Sequence, residues 1–255
     1  MTFFRKIYRT FLLVGWILFI WLVLFIVRMG DRWSGQRRLA KASQLWGKGI
    51  SFIFGIKIKI NNYNDNFTSG LVVSNHTGYV DIFVQAGVWP TRFAAKDAIR
   101  TWPFIGWFVA CGRPVWIDRT SRIKSKIAAQ EIRDSMLNDI SLIAYPEGTS
   151  TNGKDGMLTF KSTPFEAVIE GDNWIQPAVI RYGDTPDGKA IAWYEDMTLL
   201  PHLWRILGYK KIDVEINILK AFKPEGRNRK ELAKFAQGVM EEEYKKMFAS
   251  GPIQI

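Results

Sequence analysis

The chain is poor in the residues that build covalent or metal-held frameworks. It has one cysteine, Cys111, and two histidines, His76 and His202, in 255 residues. A single cysteine excludes an internal disulfide and suits a domain facing a reducing compartment. No cluster of ligand residues has metal spacing, so no metal and no cofactor are expected. Acidic residues are also few, 24 against 35 basic, which leaves a net charge of +11. Such an excess attracts nucleic acid or an anionic membrane surface. Zinc-finger spacing, a helix-turn-helix signature and ribonucleoprotein motifs are all missing, so the membrane is the expected partner and nucleic acid is not. There is no repeat, no low-complexity tract and no Gly-x-Ser-x-Gly element of the serine hydrolases.

Apolar and aromatic residues are plentiful. The composition is 47% hydrophobic and 14% aromatic, with 11 Trp, which rules out disorder and suits a protein seated at a lipid interface. Phe11 to Val27 carries no charge and lies at the short end of what crosses a bilayer as a helix. Arg28-Met29-Gly30-Asp31-Arg32 behind it offers no small-residue cleavage site, which argues against a signal peptide. Arg5, Lys6 and Arg9 precede the run, and the heavier basic flank follows it. That flank puts the rest of the chain on the cytoplasmic face if the run spans. Trp33 to Phe54 mixes basic and apolar residues, as in an amphipathic helix on the membrane or one packed on a globular core. The expected division is a membrane anchor over 1–54 (apolar helix 11–27 plus the amphipathic helix) and a second domain over 55–255.

That second part alternates strand and helix patterns. Ile56 to Ile60, Leu71 to Ser74, Thr91 to Ala95, Val115 to Ile117, Ser141 to Tyr145, Trp174 to Arg181, Ala190 to Glu195 and Ile212 to Phe222 read as strands. Trp102 to Ala110, with Pro103 in its first turn, Ser121 to Leu137 and Arg227 to Phe248 read as helices. The fold class is therefore α/β, a mixed central sheet flanked by helices, with an N-terminal apolar membrane-anchoring helical segment.

The most informative stretch is Asn75-His76-Thr77-Gly78-Tyr79-Val80-Asp81, directly after the apolar Leu71-Val72-Val73. Histidine accepts a proton near neutral pH, and a carboxylate on its far ring nitrogen fixes the tautomer and stabilises the charged form. Positions five apart on a helix diverge by about 140°, so His76 and Asp81 meet only if the chain turns between them. Gly78 allows that turn, and Asp81 is typed as the N-cap of the helix that follows. His202 has no such neighbour and reads as structural. Three further motifs follow in order: Val115-Trp116-Ile117-Asp118-Arg119, then Tyr145-Pro146-Glu147-Gly148-Thr149-Ser150, then Gln176-Pro177-Ala178-Val179. Alone, Asp118-Arg119 is an ordinary surface ion pair and Pro146-Glu147-Gly148 an ordinary turn. Together at strand ends they would line one pocket.

These four ordered blocks, across roughly 71–179, resemble those of the glycerolipid acyltransferase family, the lysophosphatidic acid acyltransferases and their relatives. The resemblance implies a membrane-bound O-acyltransferase of phospholipid biosynthesis, moving a fatty acyl group from a thioester, acyl-CoA or acyl-carrier protein, to a lysolipid hydroxyl. It implies that His76 is the general base and that Asp81 orients it. Asn75, Lys96, Arg119, Glu147, Gly148, Thr149 and Ser150 would bind substrate, while Pro177 would shape the site without touching it. A lipid hydrolase using the same pair, and a non-catalytic membrane-binding protein, are the competing readings. One departure bears on the acceptor. Members that accept a glycerol phosphate carry Arg after Glu-Gly-Thr, where this chain has Ser150, and serine cannot replace a guanidinium fork. The expected acceptor is a lysolipid such as 1-acylglycerol 3-phosphate, with lyso-ornithine and lysophosphatidylcholine-type lipids as alternatives.

Overall fold

A computed structural model describes residues 2–27, 31–62, 67–118 and 121–253. Two long helices open the chain, α1 (Thr2–Val27) and α2 (Arg32–Phe54). There follow β1 (Ile56–Asn62), β2 (Leu71–Ser74), α3 (Tyr79–Val88), β3 (Thr91–Lys96), a 3-10 turn (Asp97–Thr101), α4 (Ile105–Cys111) and β4 (Val115–Ile117). The remainder is α5 (Arg122–Leu137), β5 (Ser141–Ala144), α6 (Thr163–Glu170), β6 (Ile175–Tyr182), α7 (Leu199–Ile206), β7 (Ile212–Ile218) and α8 (Arg229–Ala249). The seven strands form one sheet in the order β1-β7-β6-β2-β5-β3-β4. All neighbours are parallel except β6 and β7, so the sheet is mixed, as the alternating pattern predicts.

Strand alternation divides the core into two layers. Leu71, Val73, Leu142, Ala144, Ile175 and Val179 face α5, α6 and α8, where they meet Ile132, Phe165, Leu232 and Met240. Val72, Ile143, Ala178, Ile180, Val214 and Ile216 face α2, α3 and α7, where they meet Ile50, Phe54, Val84 and Ile206. The period-2 pattern thus buries both faces of the central strands, as a helix-covered parallel sheet requires.

The second helix is a core element. Asp31 caps its N-terminus by accepting from the Trp33 and Ser34 amides, and Gly55 closes it at φ 70°, a left-handed position suited to glycine. Its buried face of Leu39, Ala42, Ile50, Ile53 and Phe54 decides between the two readings of 33–54 in favour of packing on the globular body. α1 runs antiparallel along it. Arg9 donates to the Leu207 and Tyr209 carbonyls, Trp16 Nε1 donates to the Trp46 carbonyl, and Arg38 donates to the Val27 carbonyl. Between them Ile20 and Leu24 pack on Leu39 and Ala42. The outward face of α1 carries Phe11, Leu18, Leu22, Phe25 and Ile26 exposed. By length and composition this helix could cross a membrane, with a mean hydropathy of 2.8 over its most apolar window.

Several elements differ from the sequence pattern: β7 stops at Ile218, short of Phe222, and α6 and α7 lie outside the expected helices. Residues 190–195 form no strand: they cross over the His76 loop, with the Trp193 amide donating to the Thr77 carbonyl while Ile191 and Ala192 enter the core. The helix expected from Trp102 starts only at Ile105, because Phe104 has φ 61° and ψ −45° and the Ile105 amide donates to the Pro103 carbonyl in a tight turn. Asp81 is not the cap of α3. Gly78 holds that position, and Asp81 is its third helical residue.

Candidate active site

The C-terminal ends of the parallel strands β2, β5, β3 and β4 lie on one edge of the sheet, and most of the singled-out residues follow those ends. Beyond β2 the chain bends at Gly78, whose φ is 153°. A Cβ there would lie 2.9 Å from the Trp193 amide nitrogen, so only glycine lets residues 190–195 close over the turn. The bend brings His76 Nδ1 within 2.9 Å of Asp81 Oδ2. Asp81 is fully buried and its other lone pairs are occupied. Oδ2 also accepts from the Thr77 and Gly78 amides, and Oδ1 accepts from the Thr77 and Tyr182 hydroxyls. The imidazole stacks on the Tyr145 ring at 4.1 Å between centroids, and its side chain remains 19% exposed. A buried, saturated carboxylate on one ring nitrogen and a partly exposed ring is the arrangement a histidine base requires. Burial, then the charge of Asp81, pushes the Tyr145 and Tyr182 hydroxyls well above the ordinary tyrosine value, so both stay protonated.

Glu147 does not face an open cleft. It is 2% exposed, and Oε1 accepts from the His76 amide and Oε2 from the Leu158 amide, each at 2.8 Å. Burial is the largest influence on its carboxyl and raises it above the usual carboxylate value. The Thr151 amide donates to the His76 carbonyl, so the loop after β5 grips the histidine loop at both its amide and its carbonyl. Gly148 turns that loop at φ 77°, with Thr149 exposed and Ser150 half-buried beyond it. Asn75 is buried too. Its amide donates to the Ile180 carbonyl and accepts from the Ile180 N–H, bridging β2 and β6 where their ladder ends. Both side chains, expected at the substrate, are hydrogen-bonded to backbone.

Lys96 is exposed at the end of β3. Arg119 lies outside the described residues, and its neighbour Asp118 pairs with Lys124 at 2.9 Å. Pro177 is not at a strand end. It sits opposite Val73 in the register of β6 against β2. Tyr182, at the far end of the same strand, reaches the site instead, and nothing in the sequence near it marks that role. His202 does have a partner: the Tyr79 hydroxyl lies 2.8 Å from Nδ1. Among the described residues no group of three His, Cys, Asp or Glu side chains could hold a metal ion.

The acyltransferase family model matches residues 56–181, which contain His76, Asp81, Tyr145 and Glu147 but end one residue before Tyr182. A lyso-ornithine lipid O-acyltransferase of Brucella abortus is 30% identical over 182 residues, covering 66% of this chain and 67% of the relative. The chain belongs to the glycerolipid and lysophospholipid acyltransferase family. A Pseudomonas aeruginosa acyltransferase of the same name is 32% identical, over 66% of this chain and 64% of the relative. A 1-acyl-sn-glycerol-3-phosphate acyltransferase of Neisseria gonorrhoeae is 28% identical over 68% of each. The chain thus spans somewhat under two thirds of the Pseudomonas relative, and 51% of a Rhodobacter capsulatus one. The acyltransferase fold extends through the N-terminal helices. The crystal structure of the 1-acyl-sn-glycerophosphate acyltransferase PlsC from Thermotoga maritima superposes with a TM-score of 0.70 over 97% of this chain and 96% of that one, at 20% identity.

Proposed function

We propose that this acyltransferase moves a fatty acyl group from a thioester donor to the hydroxyl of a lysolipid, with His76 as general base. The observation that carries the reading is the 2.9 Å contact between His76 Nδ1 and the buried Asp81. With Nδ1–H held there, Nε2 is the nitrogen that takes the hydroxyl proton as the oxygen attacks the thioester carbonyl. The tetrahedral intermediate collapses by breaking the carbon–sulfur bond, and the leaving thiolate takes the proton back from Nε2. The ester forms without a covalent enzyme intermediate, since the attacking oxygen belongs to the lipid. Glu147 and Asn75 hold the histidine loop in place, whereas Lys96, Arg119, Gly148, Thr149 and Ser150 are the residues for substrate.

A lyso-ornithine type acceptor is favoured over 1-acylglycerol 3-phosphate. Four relatives with that name support this reading. Ser150 supports it as well: an ornithine headgroup has no phosphate, so the guanidinium fork of phosphate-accepting members has no counterpart to bind. The net charge of +11 suits an anionic donor, either the phosphates of coenzyme A or an acidic carrier protein.

α1 lies in one leaflet and does not cross the bilayer. Both of its halves are fastened to the body, Arg9 at Leu207 and Tyr209 and the Val27 carbonyl at Arg38, so a spanning α1 would drag the charged body into lipid. The body faces the cytoplasm, where acyl thioesters are available. The test uses purified protein, a labelled acyl thioester and a panel of lyso-ornithine lipid, lysophosphatidate and lysophosphatidylcholine, with the products separated. Acylated lyso-ornithine lipid should dominate, and His76→Ala should make none while still folding and binding vesicles. Free fatty acid as the main product, or an active His76→Ala, would overturn the assignment.

A further inference from the structure

The segment Trp102-Pro103-Phe104-Ile105-Gly106-Trp107 presents large apolar side chains to solvent. Phe104 is 88% exposed and Trp107 57%, with Trp102 and Ile105 also exposed. The turn is rigid. The Ile105 amide donates to the Pro103 carbonyl at 2.6 Å, the Gly106 amide to the Trp102 carbonyl and the Phe108 amide to the Phe104 carbonyl. Phe104 holds a positive φ of 61°, a region bulky residues avoid because it costs about 1–3 kcal/mol. A soluble surface gains nothing from projecting a phenyl ring at that expense.

The patch is continuous with α1. The Trp107 ring lies 5.2 Å from the Trp21 ring, and Phe108 and Cys111 pack on the cluster of Ile20, Leu24, Leu39 and Ala42. Beside it on α1, Leu18, Leu22 and Phe25 are exposed. Lys96 stands exposed at the base of the turn, where lipid phosphates would lie, and Arg100 beside it is exposed but paired with Asp97 at 2.7 Å and laid over the Trp116 ring. An aromatic tip flanked by an exposed lysine and joined to an apolar helix of membrane-crossing length matches the chemistry of the headgroup–acyl boundary.

We infer that residues 102–107 form a second membrane-inserting element, which enters the same leaflet as α1 with Phe104 deepest. Two insertion points fix the tilt of the protein, where one helix alone would let it roll. This element follows β3, two strands from the β2 end that bears His76, so its insertion turns that sheet edge toward the headgroups. The consequence for catalysis rests on the proposed acyl transfer; the insertion itself does not.

The test separates the two. In a Cys111→Ser background, Phe104→Cys is labelled with an environment-sensitive fluorophore and mixed with vesicles of phosphatidylethanolamine and phosphatidylglycerol. The emission should shift to the blue and be quenched by brominated acyl chains, while the same label at Lys245→Cys on α8 should do neither. Phe104→Gly, which removes the ring and relaxes the strained backbone, should melt no lower than the parent. It should lose about tenfold in acylation of vesicle-embedded lysolipid, the loss of one buried phenyl anchor, yet keep activity on micellar acceptor. An aqueous, unquenched label at position 104 on bound protein would overturn the inference even if acyl transfer is confirmed. A quenched label would uphold it even if the reaction proves to be another.

Discussion

Replacing Glu147 with alanine separates a strut from a substrate ligand. The carboxylate accepts one backbone amide on each oxygen, from His76 and from Leu158, in a site that is 2% exposed. Hydrogen bonds to a charged acceptor contribute about 1.5–3 kcal/mol each. Part of that is returned when the buried charge is removed, since burial is the leading influence on this carboxyl. The net loss is about 2–4 kcal/mol, because two buried N–H groups are left without partners. For a chain of this size that lowers the melting temperature by about 5–15 °C. Glu147→Gln keeps one acceptor oxygen but turns an NH2 group toward the other amide, so it should fall between wild type and alanine. The assay pairs near-ultraviolet circular dichroism melts in detergent with steady-state kinetics. Both variants should lose stability and kcat, with KM for the lysolipid nearly unchanged, because the displaced group is the histidine loop. Wild-type melting together with a raised KM would refute the reasoning and make Glu147 an acceptor ligand.

Other outcomes follow from the same geometry. Tyr182→Phe removes one of the donors that hold Asp81 in place against His76, so kcat should fall while KM for the lysolipid stays nearly unchanged; an unchanged kcat would make Tyr182 a packing residue only. His202 is held down to about 4 from 6.5, first by burial and then by Arg205. The unfolded chain therefore binds its proton first, and the stability this residue contributes is complete above pH 6.5 and lost as pH falls from there toward 4. Urea midpoints across that window should fall less steeply in His202→Gln than in wild type. Ser150→Arg should raise activity on lysophosphatidate relative to lyso-ornithine lipid, and an unchanged preference would remove Ser150 from acceptor selection.

The sequence by itself determined the α/β class, the apolar first helix and the meeting of His76 with Asp81. Those features are written in local terms: a period of two, an uncharged run, and a glycine between two residues only five apart. The mixed sheet could be expected, yet the reversal of β7 against β6 could not, and neither could the loss of the strand pattern at 190–195. That stretch is apolar enough for a strand, but its backbone at Trp193 closes over the Gly78 turn while Ile191 and Ala192 fill the core.

Only the tertiary structure decided what surrounds the pair. Tyr182 reaches Asp81 across 101 positions and Asn75 reaches Ile180 across 105, contacts that exist because β6 lies beside β2. Glu147 becomes a buried brace because β5 lies on the other side of β2, which brings its loop under the His76 amide. α2 turned inward because the sheet face of Val72, Ile143 and Ile180 needed a cover, a demand no single helix can announce. Strand order is set by the summed burial of the whole chain, so every contact that depends on it is invisible one segment at a time.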